Sequence, residues 1–255
     1  MHRKIVQYLD EIEKREDIKI LLASEAGSTA YGFPSNDSHL HVKIIYIHKE
    51  NWYLSFSEKK DSIDLMFENG VIHITGWDIK KSLKLLRESY VPLLEHIKSQ
   101  IIYTRDNSFL KEINEIASSQ YSRINSINHY LSIALFFLDE FKEKDRYKLK
   151  NFLKSLRSAI ACKWILEMEE IPPTNFQEMI DVLNIKYSIT KRIKELILLS
   201  STVSYSYLHS GETELITFIE SSINLAKEKR ISLPPSKGTR DELNVYFLKL
   251  LVNYG

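Results

Sequence analysis

The periodicity of apolar residues changes near residue 105, and this change limits the chain to folds with two different parts. Across residues 40–46, apolar and more polar side chains alternate, which is typical of a half-buried strand. Beyond residue 105 apolar residues recur at helical spacing, and the clear breaks are the proline pairs 172–173 and 234–235. The sequence therefore predicts an α+β fold, with an α/β domain over residues 1–105 and an all-α domain over residues 106–255.

Individual elements follow from the same patterns. The spacing of apolar residues predicts an N-terminal helix over 2–16, followed by a strand over 18–23. An Asn-Gly turn at 69–70 separates two further strand patterns, 62–66 and 71–75, and predicts a hairpin. Helices in the second half are predicted over 107–120, 122–142, 145–169, 176–183, 188–200, 212–228 and 239–252.

The charge balance and the single cysteine restrict the class of protein. Thirty-five basic residues are balanced by thirty-four acidic ones, which excludes a protein whose whole surface is strongly basic and binds nucleic acid. A local basic patch is still compatible with this balance. Cys162 lies among apolar residues at helical spacing, which favours a buried structural thiol. The N-terminus does not have the pattern of a signal peptide, and the apolar runs are too short for a membrane span. We expect a reducing, cytoplasmic setting and no membrane partner.

The most informative stretch runs from residue 21 to residue 81. Gly27-Ser28 follows a short apolar strand, and a glycine at such a turn lets backbone amides and the serine hydroxyl approach phosphate oxygens. A loop rich in Ser, Asn and Asp then leads into a strand pattern that contains His39 and His41. His73 interrupts a later apolar strand. Residues two apart on a strand point to the same side, so His39 and His41 are expected to converge, and a neighbouring strand can place His73 beside them.

Several motifs together resemble the DNA polymerase β-like nucleotidyltransferase superfamily. Residues 25–38 read EAGSTAYGFPSNDS, which is similar to the family pattern ESGSRAWGF followed by DSDYDVR. More narrowly, the chain resembles the nucleotidyltransferases associated with bacterial and phage RNA repair. That likeness extends to GWDIKK at 76–81, LLE at 93–95, and RSAIACKW at 157–164 with the proline pair that follows.

The resemblance implies a fold, a reaction and a set of site residues. The fold would be a mixed sheet with flanking helices, followed by a helical domain. The reaction would transfer a nucleotidyl group from a nucleoside triphosphate to an acceptor such as an RNA end. Gly27 and Ser28 would bind the nucleotide. Lys43 stands where the family tends to have arginine, and it would either face the triphosphate or be a strand-edge lysine.

The chain departs from the family at the metal-binding positions. His39, His41 and His73 occupy the places of the Asp-x-Asp motif and of the third aspartate. By resemblance the cofactor would be Mg²⁺, a hard cation that prefers oxygen ligands, whereas imidazole nitrogen suits zinc and other transition metals. Neutral imidazoles also bring no negative charge to offset the cations. We therefore expect Mg²⁺-dependent transfer to be absent or very weak.

Three interpretations of the histidines stay open. The first is a disabled nucleotidyltransferase, natural or engineered, that keeps its fold and binds nucleotide as a pseudoenzyme. The second is a three-histidine site that holds zinc or another transition metal and supports hydrolysis. The third is rescue by other carboxylates, with Asp64 as the best candidate, since Asp37 has the pattern of a turn residue and Asp78 that of a helix N-cap.

Two basic residues of the second half match basic positions of the family. Lys150 and Arg157 lie in a predicted helix. They would border the nucleotide or the acceptor strand, or alternatively form salt bridges between helices.

Overall fold

The computed structural model describes residues 1–254, and it confirms the predicted α+β class. The strands are β1 (Ile18–Ala26), β2 (Leu40–His48), β3 (Ser62–Phe67), β4 (Ile72–Asp78), β5 (Ile102–Arg105), β6 (Tyr147–Lys148) and β7 (Leu208–His209). The helices are α1 (His2–Glu16), α2 (Gly27–Ala30), α3 (Glu50–Tyr53), α4 (Ile79–Arg87), α5 (Val91–Ile97), α6 (Asn107–Gln120), α7 (Arg123–Glu143), α8 (Leu149–Met168), α9 (Phe176–Val182), α10 (Tyr187–Thr202), α11 (Thr213–Lys229) and α12 (Arg240–Tyr254).

Five strands form one mixed sheet in the order β3-β4-β2-β1-β5. Strand β2 pairs antiparallel with β1 and parallel with β4, while β3 pairs antiparallel with β4 and β5 with β1. The parallel pair sits near the middle of the sheet, and the strands are more buried on one face than on the other, which presents the exposed His41 and the half-buried His73. The mixed sheet that the family resemblance implied is therefore confirmed.

Helix α1 covers one face of this sheet because its apolar residues follow helical spacing. Ile5, Leu9 and Ile12 are buried and pack against the inward face of the sheet, while most charged residues of α1 remain exposed. The helix ends at Asp17, whose φ of 49° is the left-handed conformation common at helix C-termini. Burial of this face is the main local source of stability for the sheet.

The hairpin between β3 and β4 confirms the Asn-Gly prediction. Asn69 and Gly70 have φ values of 53° and 90°, which asparagine and glycine tolerate better than other residues. On the outgoing strand, Gly76 lies against Ile44 of β2 so closely that an added Cβ would lie 2.2 Å from the Ile44 Cγ1 atom. Glycine at this position lets the two strands pair without a steric conflict.

The second half of the chain is built around α8. Nearly all turns of α8 are buried, and α7, α10 and α11 pack against it. The helices over 107–254 lie close to their predicted ranges. The short pair β6–β7 was not predicted, and neither was β5 at the edge of the main sheet.

The residues group into two compact units that are not continuous in sequence. One contains Met1–Ala26, His39–Tyr121 and the segment from Ser236 onward, and the other contains Gly27–Ser38 and Ser122–Pro235. Spatial grouping does not test independent folding, so the domain boundary near residue 105 stays a prediction. Within residues 1–254, no helix combines the length and apolarity needed to cross a bilayer.

Candidate functional site

His41 and His73 face each other on the sheet. They are Cα partners in the parallel pairing of β2 with β4, so both side chains project from the same face. Their ring centroids lie 5.6 Å apart with an interplanar angle of 67°. Two of the three positions that match family aspartates are therefore adjacent, as strand pairing leads one to expect.

His39 lies one residue before β2 and is exposed. Within residues 1–254, no three side chains among His, Cys, Asp and Glu are arranged as they would be around a metal ion. The structure therefore gives no direct support to a metal site at His39, His41 and His73, and that site stays a prediction.

Asp64 lies on β3, beside the histidine pair. Its Oδ1 atom is 2.7 Å from the Nε2 atom of His73, and the aspartate is largely exposed while the histidine is half-buried. A carboxylate in this position fixes the orientation of the imidazole and favours the tautomer protonated at Nε2. Of the three carboxylates considered for rescue, Asp64 is thus the one in contact with a site histidine.

The other two acidic candidates have structural partners. Asp78 is the N-cap of α4, where its Oδ1 accepts a hydrogen bond of 2.8 Å from the Lys80 amide, and its Oδ2 accepts one of 2.6 Å from the Tyr53 hydroxyl. Asp37 lies in a turn and accepts a hydrogen bond of 2.8 Å from the Tyr205 amide. Both interpretations made from sequence, the N-cap and the turn residue, are confirmed.

Lys43 projects from the same face of β2 as His41. Its Nζ atom lies 4.7 Å from the centroid of the Trp77 ring and 3.5 Å from the Pro92 carbonyl oxygen. Burial lowers the pKa of Lys43, and the nearby charge of Glu95 opposes this shift. The cation–π contact with Trp77 holds the Lys43 side chain in place. Contact between Lys43 and a nucleotide stays a prediction.

Glu25 is a buried carboxylate that the sequence reasoning did not single out. Its Oε1 accepts a hydrogen bond of 3.0 Å from the His41 amide, and its Oε2 accepts one from the Tyr103 hydroxyl. Burial raises the pKa of Glu25, while these hydrogen bonds oppose the shift. The signal in the sequence was an acidic residue near the end of the apolar run that forms β1. Glu25 fixes the backbone at the beginning of β2, from which the His41 side chain projects.

A second group of polar residues surrounds Ser38, in the compact unit that contains the Gly27–Ser38 segment. Gly27, with a φ of 67°, begins the short helix α2. The Ser38 Oγ atom lies 2.9 Å from the Ser35 Oγ and 3.5 Å from the Ser28 Oγ. The Lys150 Nζ atom donates hydrogen bonds of 3.0 Å to Ser38 Oγ and 3.2 Å to Ser35 Oγ.

Arg157 interacts with the same segment through a different residue. Its guanidinium carbon lies 4.0 Å from the centroid of the Tyr31 ring, and its Nη2 donates a hydrogen bond of 2.9 Å to the Thr174 carbonyl oxygen. Arg157 is buried, and the planar guanidinium suits both stacking and carbonyl recognition. These contacts indicate a role in shaping the loop around Tyr31.

The chain is similar to one family model and to two individual proteins. A model of the family described as RlaP, RNA repair pathway DNA polymerase beta family, matches residues 1–249. The uncharacterized protein YcgL from Bacillus subtilis strain 168 is 32% identical over 183 residues, which span 72% of this chain and 70% of that protein. A nucleotidyltransferase-like protein from Exiguobacterium sibiricum 255-15 aligns in structure with a TM-score of 0.34 and 10% identity, over 97% of this chain and 87% of that one.

Proposed function

Because the chain belongs to the RNA repair pathway DNA polymerase beta family, we propose that it binds a nucleoside triphosphate but lacks effective Mg²⁺-dependent nucleotidyl transfer. The family reaction would pass the nucleotidyl group to an acceptor such as an RNA end. In this proposal the protein is a nucleotide-binding pseudoenzyme of that family. The setting would be the cytoplasm.

The pairing of His41 with His73 supports this proposal most directly. Nucleotidyl transfer relies on a pair of Mg²⁺ ions bridged by anionic oxygens, which organise the triphosphate and activate the attacking hydroxyl. At two adjacent positions of the sheet the side chains offer imidazole nitrogen instead. This donor set does not fit Mg²⁺. By comparison with the loss of other electrostatic contacts in active sites, each replaced carboxylate would raise the barrier by about 3 kcal/mol.

Retention of phosphate-binding chemistry supports nucleotide binding. Gly27 and Ser28 keep the family motif, and Ser28 lies beside the serine group that Lys150 contacts. Serine hydroxyls and a lysine ammonium are suitable donors for phosphate oxygens. Within the unit that contains the sheet, Lys43 is a cation on the face that presents His41.

The decisive experiment compares three proteins with labelled nucleoside triphosphates and RNA acceptors, first with Mg²⁺ and then with Mn²⁺. One is the unaltered chain, and one combines His39→Asp, His41→Asp and His73→Asp. The matched control combines His39→Asn, His41→Asn and His73→Asn, because asparagine has the shape of aspartate without its charge. We expect transfer only by the aspartate variant. Comparable turnover by the unaltered chain would contradict the proposal.

Calorimetry tests the binding half of the proposal separately. Titration of the unaltered chain with each nucleoside triphosphate, with and without divalent metal, should show saturable binding. If none of the nucleotides binds, the pseudoenzyme interpretation is wrong.

A second candidate function is hydrolysis at a transition metal held by His39, His41 and His73. The contact of Asp64 with His73 favours it, because histidines that ligate metals usually donate their other ring N–H to a carboxylate or carbonyl. Zinc bound in this way would lower the pKa of a bound water and so supply a hydroxide nucleophile. Elemental analysis of the purified protein tests this candidate, and the absence of stoichiometric transition metal would refute it.

A further inference from the structure

We propose that a cavity between the first turn of α7 and the last turns of α8 and α11 binds a small organic acid, a molecule with one carboxylate and an apolar body. The cavity has a volume of about 380 Å³, which lies within the range of small-molecule sites. All the residues that line it belong to one of the two compact units, the one that contains these three helices. The inference goes beyond the proposed function, which uses none of these residues.

Part of the lining of this cavity is apolar and still in contact with water. Leu225 of α11 is 42% exposed, Leu166 of α8 and Leu233 are half-buried, and Pro234 is exposed. Apolar side chains that remain hydrated lose that hydration when an apolar ligand covers them, and this loss favours binding. The cavity therefore has a surface suited to the apolar body of a ligand.

Arg123 supplies the cavity with a guanidinium group that the protein itself uses only in part. The side chain is 14% exposed, and across residues 1–254 its one ion pair joins the Nη1 atom to the Glu169 Oε1 atom at 2.7 Å. A guanidinium group has five N–H donors, so several of them remain available to a second carboxylate. A largely buried cation that is incompletely paired gains from a further anionic partner.

The position of Arg123 on its helix also favours an anion. Arg123 is the first residue of the 21-residue helix α7, and the first turn of α7 contains no acidic residue. The positive end of the helix dipole lies at this terminus, where it repels the guanidinium group and attracts a carboxylate. Lys229, in the last turn of α11, is a further cation of the lining, and its ammonium forms no ion pair within residues 1–254.

Glu169 is the carboxylate with which a ligand would share Arg123. It is the C-cap residue of α8, with a φ of 61°, and 68% of its side chain is exposed. An ion pair with so well hydrated a carboxylate contributes little stability. The other carboxylate of the lining, Glu167, is paired with Lys163 of the same helix. The lining thus has three cations and two carboxylates, and a ligand with a single carboxylate would balance the excess positive charge.

A structural alternative is that Arg123 and Glu169 only join the beginning of α7 to the end of α8. The variant Glu169→Gln distinguishes the two roles. If the pair is only structural, this variant lowers the melting temperature and leaves the affinity for organic acids unchanged. In the proposed site, Glu169→Gln strengthens the binding of an acid, because the guanidinium group loses the protein carboxylate that competes for it.

The experiment titrates the full chain with octanoate and 4-phenylbutyrate in a calorimeter, and thermal melting checks that each variant folds. The neutral 4-phenylbutanamide is the control ligand, because it has the shape of the acid without its charge. We expect both acids to bind saturably and the amide to bind about tenfold more weakly, by loss of charge-assisted hydrogen bonds. Arg123→Gln should weaken acid binding by about the same factor. The matched control is Lys227→Gln, since Lys227 is an exposed cation of α11 outside the lining, and it should bind like the unaltered chain.

A second pair of variants tests the apolar part of the cavity. Leu225→Ser places a polar group in the lining and should weaken the binding of both acids. Leu198→Ser is its control, because Leu198 is an exposed leucine of α10 that does not line the cavity. This control should leave the affinity unchanged.

Several outcomes would overturn the proposal. It is refuted if neither acid binds, or if the amide binds as tightly as 4-phenylbutyrate. It is also refuted if Arg123→Gln and Leu225→Ser both bind the acids like the unaltered chain. Should Arg123→Gln fail to fold, Glu169→Gln and Leu225→Ser decide, and unchanged affinity in both of them refutes the site. None of these results depends on nucleotide binding, which the titration with nucleoside triphosphates tests by itself.

Discussion

His73 and Asp64 lie on adjacent antiparallel strands, and the imidazole Nε2 of the first is 2.7 Å from the carboxylate Oδ1 of the second. The aspartate is largely exposed, so its carboxylate remains hydrated while it orients a half-buried ring. The contact occupies Asp64, the carboxylate that the sequence favoured most among three possible replacements for the missing aspartates. It also leaves Nδ1 of His73 as the ring nitrogen with a free lone pair.

The first prediction concerns the tautomer of His73. At about pH 8, where an ordinary imidazole is neutral, nitrogen-15 NMR should show His73 protonated at Nε2. In the Asp64→Asn variant that preference should weaken, because an amide is a poorer hydrogen-bond acceptor than a carboxylate. His41 serves as the internal reference in the same spectra. Protonation at Nδ1 in the unaltered chain would contradict the assignment.

A second prediction tests the close approach of β2 and β4. The Cβ atom of Gly76→Ala would lie 2.2 Å from Ile44 Cγ1 and 2.9 Å from the Ile44 carbonyl oxygen, so the strands must separate or the isoleucine must move. We expect a loss of about 2 kcal/mol in the free energy of unfolding, measured with urea. Gly70→Asn is the comparison, because no atom would lie within 4 Å of its Cβ and asparagine tolerates positive φ. Equal losses in the two variants would refute the steric account.

A third prediction concerns pH and a buried ion group in the helical unit. Glu212 Oε1 lies 2.6 Å from Arg192 Nη2 and 2.7 Å from His209 Nε2. Burial raises the pKa of Glu212, but the hydrogen bonds from His209 and Arg192 outweigh it and bring the pKa to about 2. A carboxyl with a depressed pKa stabilises the folded state above its unfolded pKa, near 4.5, and this contribution disappears as the pH falls through the folded value.

The variant Glu212→Gln removes that contribution. At neutral pH it should reduce the free energy of unfolding by about 2 kcal/mol, the scale of hydrogen bonds to charged groups. The difference between the variant and the unaltered chain should begin to shrink as the pH falls below 4.5 and should be lost below about 2, where the folded-state glutamate is also neutral. A difference that is constant with pH would show that the ionised carboxylate is not the stabilising species.

A fourth prediction concerns the attachment of α12. The Gln120 Nε2 atom donates hydrogen bonds of 3.1 Å to the Thr239 carbonyl oxygen and 2.7 Å to the Glu242 carboxylate. In Gln120→Ala these bonds are lost, and the amides of α12 should exchange with deuterium faster while those of α1 keep their protection. Lys249→Ala, which removes an exposed ion pair with Glu112, should have a much smaller effect. Unchanged exchange in α12 would mean that Gln120 does not hold it.

Short-range patterns explain why much of the fold could be predicted. The apolar spacing of Ile5, Leu9 and Ile12 defined α1, and the Asn69-Gly70 turn defined the β3–β4 hairpin. Strand β5 was missed because it has only four residues, none of them fully buried, and shows no clear alternation. An edge strand of this kind is specified by pairing with β1, which lies about eighty residues earlier in the chain.

The candidate site could be predicted only in part, for a related reason. Strand alternation and the family likeness were enough to expect His41 near His73. The contact of Lys150 with Ser38 joins residues 112 positions apart, and it depends on how α8 packs beside a loop. Nothing in the sequence indicated that the Glu25 carboxylate would accept a hydrogen bond from the His41 amide, because that bond depends on the register between β1 and β2.

The discontinuous grouping of the residues has a consequence for biosynthesis. Leu243, Tyr246 and Leu250 of α12 are buried in the unit that begins with α1. On the ribosome that unit therefore cannot complete its core until α12 has been translated, even though its first strands emerge early. The intervening helices can fold while the sheet still exposes apolar surface, and such surface is what chaperones recognise in nascent chains.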